Sequence, residues 1–151
     1  MMVRNRAELA TTVLRAAVLD VTEAGIERVV PRRVMPEAVK WDAAPRSLSV
    51  DKTIYSMPSE GRIFVVGGGK AAGAMAEELE TVLGASNITD GVVTCNAPRS
   101  QYHTSRIRII EAGHPIPDPK ESQDEPSQEA MQLALMPPAV VNSPPAISLL
   151  S

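Results

Sequence analysis

Residues 63–76 read IFVVGGGKAAGAMA, and this stretch decides the fold of the chain. The apolar residues before Gly67 predict a buried strand, and the small residues after Lys70 predict a helix. Glycine at such a junction lets the backbone turn tightly and lets a ligand approach the peptide N–H groups. The start of the helix has unpaired N–H groups and a partial positive charge, to which the lysine adds a full charge. The stretch therefore predicts an anion-binding site at Gly67, Gly68, Gly69 and Lys70.

The chain on either side of this loop alternates strands and helices. From Arg62 onward the pattern predicts strands at 62–66, 91–95 and 106–110, a helix at 70–83, and a second helix that starts near Ser127. Short apolar strands that alternate with helices are typical of a parallel sheet covered by helices. We therefore expect an α/β fold with a mainly parallel sheet.

The N-terminal part predicts one packing helix. Asn5 followed by Glu8 is typical of a helix N-terminus, and Leu14, Val18 and Val21 then share one apolar face. Such a face is expected to pack against the core.

The prolines that follow predict irregular structure. Pro31, Pro36 and Pro45 indicate a loop with a short helical turn at 37–39. Beyond it, residues 47–50 and 53–55 predict a hairpin that turns at Asp51-Lys52.

Composition limits the class of protein. The chain has 151 residues, enough for one domain, and 44% apolar and 22% charged residues are ordinary for a soluble protein. A net charge of −3 gives no basic surface for nucleic acid, and no apolar run reaches the ~20 residues of a membrane helix. The single cysteine excludes an internal disulfide and a cysteine-rich zinc site. We expect a cytoplasmic protein without nucleic-acid or membrane partners.

Three interpretations compete for the glycine loop. A Walker A loop is excluded, because Ala71 follows the lysine where that motif needs Ser or Thr for magnesium. The dinucleotide fingerprint G-x-G-x-x-G/A fits the glycines together with Ala72, but the second strand ends in Cys95-Asn96 and not in the expected acid. The third interpretation is a turn whose glycines serve only close helix–strand packing.

A second candidate site follows the third predicted strand. Gly113-His114-Pro115 lies after that strand, so in a parallel sheet it shares the carboxyl edge with the glycine loop. His114 is a candidate for ligand binding or proton transfer, with capping or packing of the turn as the alternative.

Three segments together resemble one family. They are Ala24-Gly25-Ile26-Glu27 before Pro31, the run 65–76, and the run 111–118 that reads EAGHPIPD. In this order they resemble the N-terminal domain of the glycerate 2-kinases, whose C-terminal half is the MOFRL domain and whose members are also named hydroxypyruvate reductases. The resemblance covers about residues 4–135. It implies a three-layer Rossmann-like α/β domain that is incomplete at its C-terminus.

The resemblance also implies an activity. Glycerate 2-kinases phosphorylate D-glycerate at its 2-hydroxyl, with ATP and Mg²⁺, in a cleft between two α/β domains. The loop lysine of the family matches Lys70, implied to be catalytic by offsetting the charge of the glycerate carboxylate or of the transferred phosphoryl group. His114 matches the histidine of the family, and the glycerate and nucleotide sites include Gly67, Gly68 and Gly69. The fragment offers no residue as a metal ligand.

The last residues depart from that family. Residues 136–151 contain four prolines and no charge, where the family continues into a strand and a Ser-Gly-Gly-Gly-Ser loop. We therefore divide the chain into a partial glycerate kinase domain, 1–135, and a proline-rich tail, 136–151, that does not look native. A frameshift after Leu135 would explain the tail, and a split gene and a natural truncation with a disordered tail are the alternatives.

The residues that the chain contains limit the activity that it can have by itself. Phosphoryl transfer needs both substrates and the metal held together, so we expect the chain to be inactive alone. An NAD-dependent oxidoreductase and a non-catalytic anion-binding module stay open as alternatives. An unfinished sheet edge would favour a homo-oligomer or pairing with a missing C-terminal half.

Overall fold

The structure, a computed structural model, describes residues 3–112. Its helices are α1 (Arg6–Leu9), α2 (Val13–Val29), α3 (Pro31–Ala38) and α4 (Ala72–Leu83). Its strands are β1 (Val39–Asp42), β2 (Ser47–Val50), β3 (Thr53–Ser56), β4 (Phe64–Gly68), β5 (Asp90–Cys95) and β6 (Ile107–Glu111). His114, the helix predicted from Ser127 and the tail 136–151 lie outside the described residues.

The second half of the described chain forms a parallel sheet in the order β4-β5-β6. Val65 pairs with Gly91, and Gly91 pairs with Ile107, so these three positions lie in one row across the sheet. The prediction of an α/β fold with a parallel sheet is confirmed. Strand β4 ends two residues later than predicted, because Gly67 and Gly68 remain extended and pair with β5.

Helix α4 covers one face of this sheet and builds the core. Val65, Val93 and Ile107 point from the three strands toward Leu79 and Leu83 of the helix, and all five are at most 2% exposed. Burying aliphatic side chains of this size is the main favourable term in folding. With few aromatic residues in the chain, this core is almost entirely aliphatic.

A buried carboxylate joins α4 to the start of β6. Glu80 is only 7% exposed. Its Oε1 accepts hydrogen bonds from the N–H groups of Arg106 and Ile107, each at 2.7 Å, and its Oε2 accepts one from Ser105 at 2.8 Å. A charged acceptor makes stronger hydrogen bonds than a neutral one. Glu80 therefore fixes where the third strand begins relative to the helix.

The N-terminal part contains two helices where the sequence predicts one. The side chain of Asn5 makes no capping hydrogen bond, and α1 ends after one turn. Thr12 starts α2, because its Oγ1 accepts from the N–H of Arg15 at 3.2 Å. The second helix then passes through Gly25 and ends at Val29.

The apolar face predicted to pack is exposed instead. Leu14 is 75%, Val18 58% and Val21 74% exposed, and α2 has no buried residue. The periodicity correctly identifies an apolar face, but no described element covers it.

The loop predicted after Pro31 is wrong, since 31–38 forms helix α3. Proline at the first helical position has no N–H to lose and a backbone angle already suited to a helix. Met35 anchors this helix in the core, and Val39 continues directly into β1. The hairpin is confirmed as β2 and β3, with β1 added as a third antiparallel strand.

None of the helices within residues 3–112 is both long and apolar enough to cross a bilayer.

We predict that Glu80→Ala lowers the free energy of unfolding by about 3 kcal/mol, because three N–H groups lose a charged acceptor. Glu80→Gln retains one acceptor oxygen and should lose less. Urea unfolding followed by circular dichroism measures both. Glu78→Ala on the same helix is the control, expected to change stability by less than about 0.5 kcal/mol. A loss for Glu80→Ala no larger than the control's would contradict the role of this carboxylate.

Candidate functional site

The glycine loop lies at the carboxyl end of β4, and its turn is made at Gly69. The N–H of Gly69 donates to the carbonyl oxygen of Thr94 at 3.0 Å, which holds the loop against the end of β5. Its φ of +130° belongs to a region that favours glycine. A Cβ there would meet nothing within 4 Å, so the turn faces open space. A ligand can therefore approach this backbone directly.

Gly68, the glycine before it, serves packing between strands. A Cβ on Gly68 would lie 2.8 Å from Oγ1 of Thr94 on β5, so a side chain there would displace the threonine. For Gly68 the packing interpretation is therefore sufficient. Gly67 is paired within the strand, opposite Val93. Of the three glycines, Gly69 is the one that a ligand-binding loop specifically needs.

The N-terminus of α4 is electropositive. Among the described residues no side chain caps this helix, and its first turn contains no acidic residue. The first N–H groups of a helix lack partners within the helix and attract anions. Lys70 is exposed in the turn just before Ala72, so its ammonium group can reach the same space. This arrangement suits a phosphate or a carboxylate.

Tyr102 is a site-proximal residue that the sequence did not predict. Its ring lies so close to Gly73 that a Cβ on that glycine would be 2.4 Å from Cε2 of the tyrosine. Gly73 is in the first turn of α4, so the ring braces the helix end that carries the loop. A glycine and a tyrosine 29 positions apart have no local pattern that would reveal their contact.

The loop before β6 is fastened to α4 next to Tyr102. The N–H of His103 donates to Oε1 of Glu77 at 2.9 Å, and the His103 Nδ1 lies 3.2 Å from the same oxygen. The His103 side chain is 90% exposed, in agreement with its polar surroundings in the sequence. Together with Glu80, this contact holds residues 103–107 against the helix.

The ends of β5 and β6 complete the described edge. Cys95 is 1% exposed, and its thiol donates to the carbonyl oxygen of Ala97 at 3.4 Å, so it acts as a packing residue. Glu111, at the end of β6, accepts from the N–H of Arg99 at 2.7 Å. The acid that a dinucleotide site would need after β5 is replaced by Asn96.

One predicted site residue has no described position, because His114 follows β6 and lies outside residues 3–112. Within residues 3–112, no three His, Cys, Asp or Glu side chains lie close enough together to hold a metal ion. The described part of the site therefore fits an anion.

Comparison with known proteins identifies relatives. Residues 17–135 match the profile of the family described as "Domain of unknown function (DUF4147)". A glycerate 2-kinase from Pyrococcus horikoshii is 34% identical over 111 residues, which are 68% of this chain and 23% of the relative. A D-glycerate 2-kinase from Thermotoga maritima is 31% identical over 105 residues, which are 70% of this chain and 21% of the relative.

A solved structure is also similar. The crystal structure of the PH0495 protein from Pyrococcus horikoshii OT3 superposes with a TM-score of 0.62 at 29% identity, covering 82% of this chain and 26% of that one. The chain thus spans about a quarter of the length of the relatives that it matches.

We predict that Gly73→Ala destabilises the protein by about 1–3 kcal/mol, because the new methyl group collides with the Tyr102 ring. The loss of stability caused by Gly73→Ala should be smaller when Tyr102 is replaced by Leu. Urea unfolding of both single variants and of the double variant measures this difference. Gly25→Ala is the matched control. That glycine is helical with open space around it, so the change should stabilise by about 0.5–1 kcal/mol. Equal effects at the two glycines would contradict the contact.

We predict that the phenol of Tyr102 ionises at a higher pH in the folded chain than in the unfolded one. Burial raises the pKa of its phenol above the ordinary value of 10.0, and the nearby Cys95 adds to this shift. The stabilisation by the neutral phenol is therefore complete below about pH 10 and is lost as the pH rises through the raised folded value. The difference between tyrosinate absorbance titrations of the wild type and Tyr102→Phe isolates this group. The same midpoint with and without urea would contradict the prediction.

Proposed function

Because this chain belongs to the DUF4147 family, we propose that it is the N-terminal part of a glycerate 2-kinase. In this proposal the complete enzyme transfers a phosphoryl group from ATP to the 2-hydroxyl of D-glycerate. The curated relatives named as glycerate 2-kinases support this substrate pair. The fragment would work in the cytoplasm, joined to the remainder of the fold that includes the MOFRL domain.

One observation carries the proposal, namely the loop geometry around Gly69. The turn exposes backbone to open space between the end of β4 and the start of α4. Phosphoryl transfer is catalysed mainly by positioning and by stabilising negative charge, and exposed N–H groups beside a lysine supply both. A loop of this kind suits the phosphates of ATP or the carboxylate of glycerate.

Lys70 has the catalytic role in this proposal. Lys70 is exposed in the turn before α4, and its ammonium group would offset charge on the transferred phosphoryl group or on the substrate carboxylate. Gly67 and Gly68 would keep the strand close to β5. Gly69, whose N–H is bound to Thr94 and whose carbonyl oxygen accepts from the N–H of Ala72, would make the turn without placing a side chain in the path of the ligand.

The chain alone is expected to lack turnover. It spans about a quarter of the relatives, so most of a cleft between two domains would come from other residues. Holding both substrates in line is a large part of the rate enhancement, and a single wall cannot do so. We therefore expect anion binding by the fragment and phosphorylation only when the fold is complete.

A second candidate is a nicotinamide-dependent oxidoreductase. The spacing Gly67-x-Gly69-x-x-Ala72 between a parallel strand and a helix favours it. Asn96 after β5 counts against it, because no carboxylate is there to bind the ribose hydroxyls. We therefore place it second.

We predict that ATP shifts the backbone amide resonances of Gly69 and Lys70 in the intact chain. Lys70→Ala should weaken ATP binding about tenfold by removing the charge-assisted contact. Lys52→Ala, in the exposed β2–β3 turn, is the control and should bind like the wild type. Binding of NADH with no response to ATP would favour the oxidoreductase instead.

Turnover is tested in a continuous chain. Residues 1–135 are joined to the part of the Pyrococcus horikoshii relative that follows the matched region, and formation of 2-phosphoglycerate is measured. Lys70→Ala should lower kcat/KM about 100-fold in this protein. Undiminished activity of the Lys70→Ala form would remove Lys70 from catalysis.

A further inference from the structure

Helix α2 presents an apolar stripe to solvent. The stripe consists of Leu14, Val18, Val21 and Val29, which recur at helical spacing on one side. Val29 is 70% exposed, and the other three are exposed by more than half. An exposed apolar patch on a helix marks a contact surface more often than a chance arrangement does.

The opposite side of α2 is polar and faces this chain. Asp20, Glu23 and Glu27 follow one another at intervals of three and four residues. Arg6 of α1 forms ion pairs with Asp20 and Glu23, and Glu27 forms ion pairs with two arginines of α3, Arg32 and Arg33. The helix is therefore held by its charged side, with its apolar side outward. An amphipathic helix in a finished domain has the reverse orientation.

A groove beside the stripe can receive side chains. A cavity of about 420 Å³ lies between α1 and α2, lined by Leu9, Leu14, Arg15, Val18 and Leu19. Arg15 at one end of the stripe and Arg28 near the other are the charged residues adjacent to it by helical spacing. The complementary surface is therefore apolar with acidic residues at its border.

We propose that the α2 stripe is the docking surface for the part of the glycerate kinase fold that follows the matched residues in the relatives. Those relatives are about four times longer than the region matched here, so a large surface is left to bury the stripe. A second copy of the chain fits less well, because a symmetric contact would bring the same arginine borders together. The inference rests on the proposed function, in which this chain is the N-terminal part of a longer glycerate kinase fold, but it does not need the proposed role of Lys70.

Docking is tested in the full chain by measuring whether a cysteine placed on the stripe is protected from a maleimide. The probe is the segment of the Pyrococcus horikoshii relative that follows the matched region, supplied as a separate polypeptide and also joined to this chain. Maleimide labelling of Val18→Cys should slow at least about tenfold with the probe in either form. Thr53→Cys on exposed β3 is the control and should label at an unchanged rate, and the buried Cys95 should not interfere. Unchanged labelling of Val18→Cys in both forms would overturn the proposal.

Placing negative charge on the stripe distinguishes docking of the remaining glycerate kinase fold from docking of a second copy of this chain. Leu14→Glu combined with Val18→Glu should weaken probe binding at least about tenfold, whereas Ile54→Glu, an equally exposed apolar residue on β3, should not. Light scattering of the chain without probe should give a monomer. A dimer that dissociates with the double substitution would overturn the proposal in favour of self-association. Because none of these measurements needs catalysis, failure of docking is distinguishable from failure of the proposed activity.

Discussion

The carboxylate of Glu80 is the contact on which the arrangement of α4 and the parallel sheet depends. It projects from the middle of the helix and accepts three successive N–H groups at the start of β6. A buried carboxylate is costly unless its lone pairs are used, and here the backbone of the next strand uses them. The helix position and the strand start are thereby determined together. The candidate site lies at the opposite end of the same helix, so this contact helps to hold the helix that follows the turn at Gly69.

The region around the loop shows how one glycine-rich segment serves several purposes. Gly68 makes room for Thr94, Gly73 makes room for Tyr102, and Gly69 provides the turn. Only the last of these faces open space. The packing and ligand-binding interpretations of such a motif therefore both apply, at different residues. Lys70 is exposed and has no comparable packing role, which leaves its charge free for the anion of the proposed function.

Sequence patterns predicted the parts of the fold that depend on neighbours along the chain. Strands β4, β5 and β6, helix α4 and the β2–β3 hairpin were located within two residues, because alternation and turn residues are local signals. The contact between Glu80 and the start of β6 was not predictable, since a glutamate in an amphipathic helix is usually solvated. Helix α3 was missed because Pro31 both interrupts and begins helices. The apolar face of α2 was found, but periodicity does not say what covers a face.

The order of the parallel strands has a consequence for how the chain folds. Neighbours in this sheet are also neighbours along the chain, with Val65 paired to Gly91 and Gly91 to Ile107. Pairing strands that follow one another along the chain costs less loop-closure entropy than pairing strands that are farther apart. The segment from β4 to β6 is thus suited to form as one unit while later residues are still being synthesised. The candidate anion site lies within this segment, so its loop takes shape as soon as β4, α4 and β5 have come together.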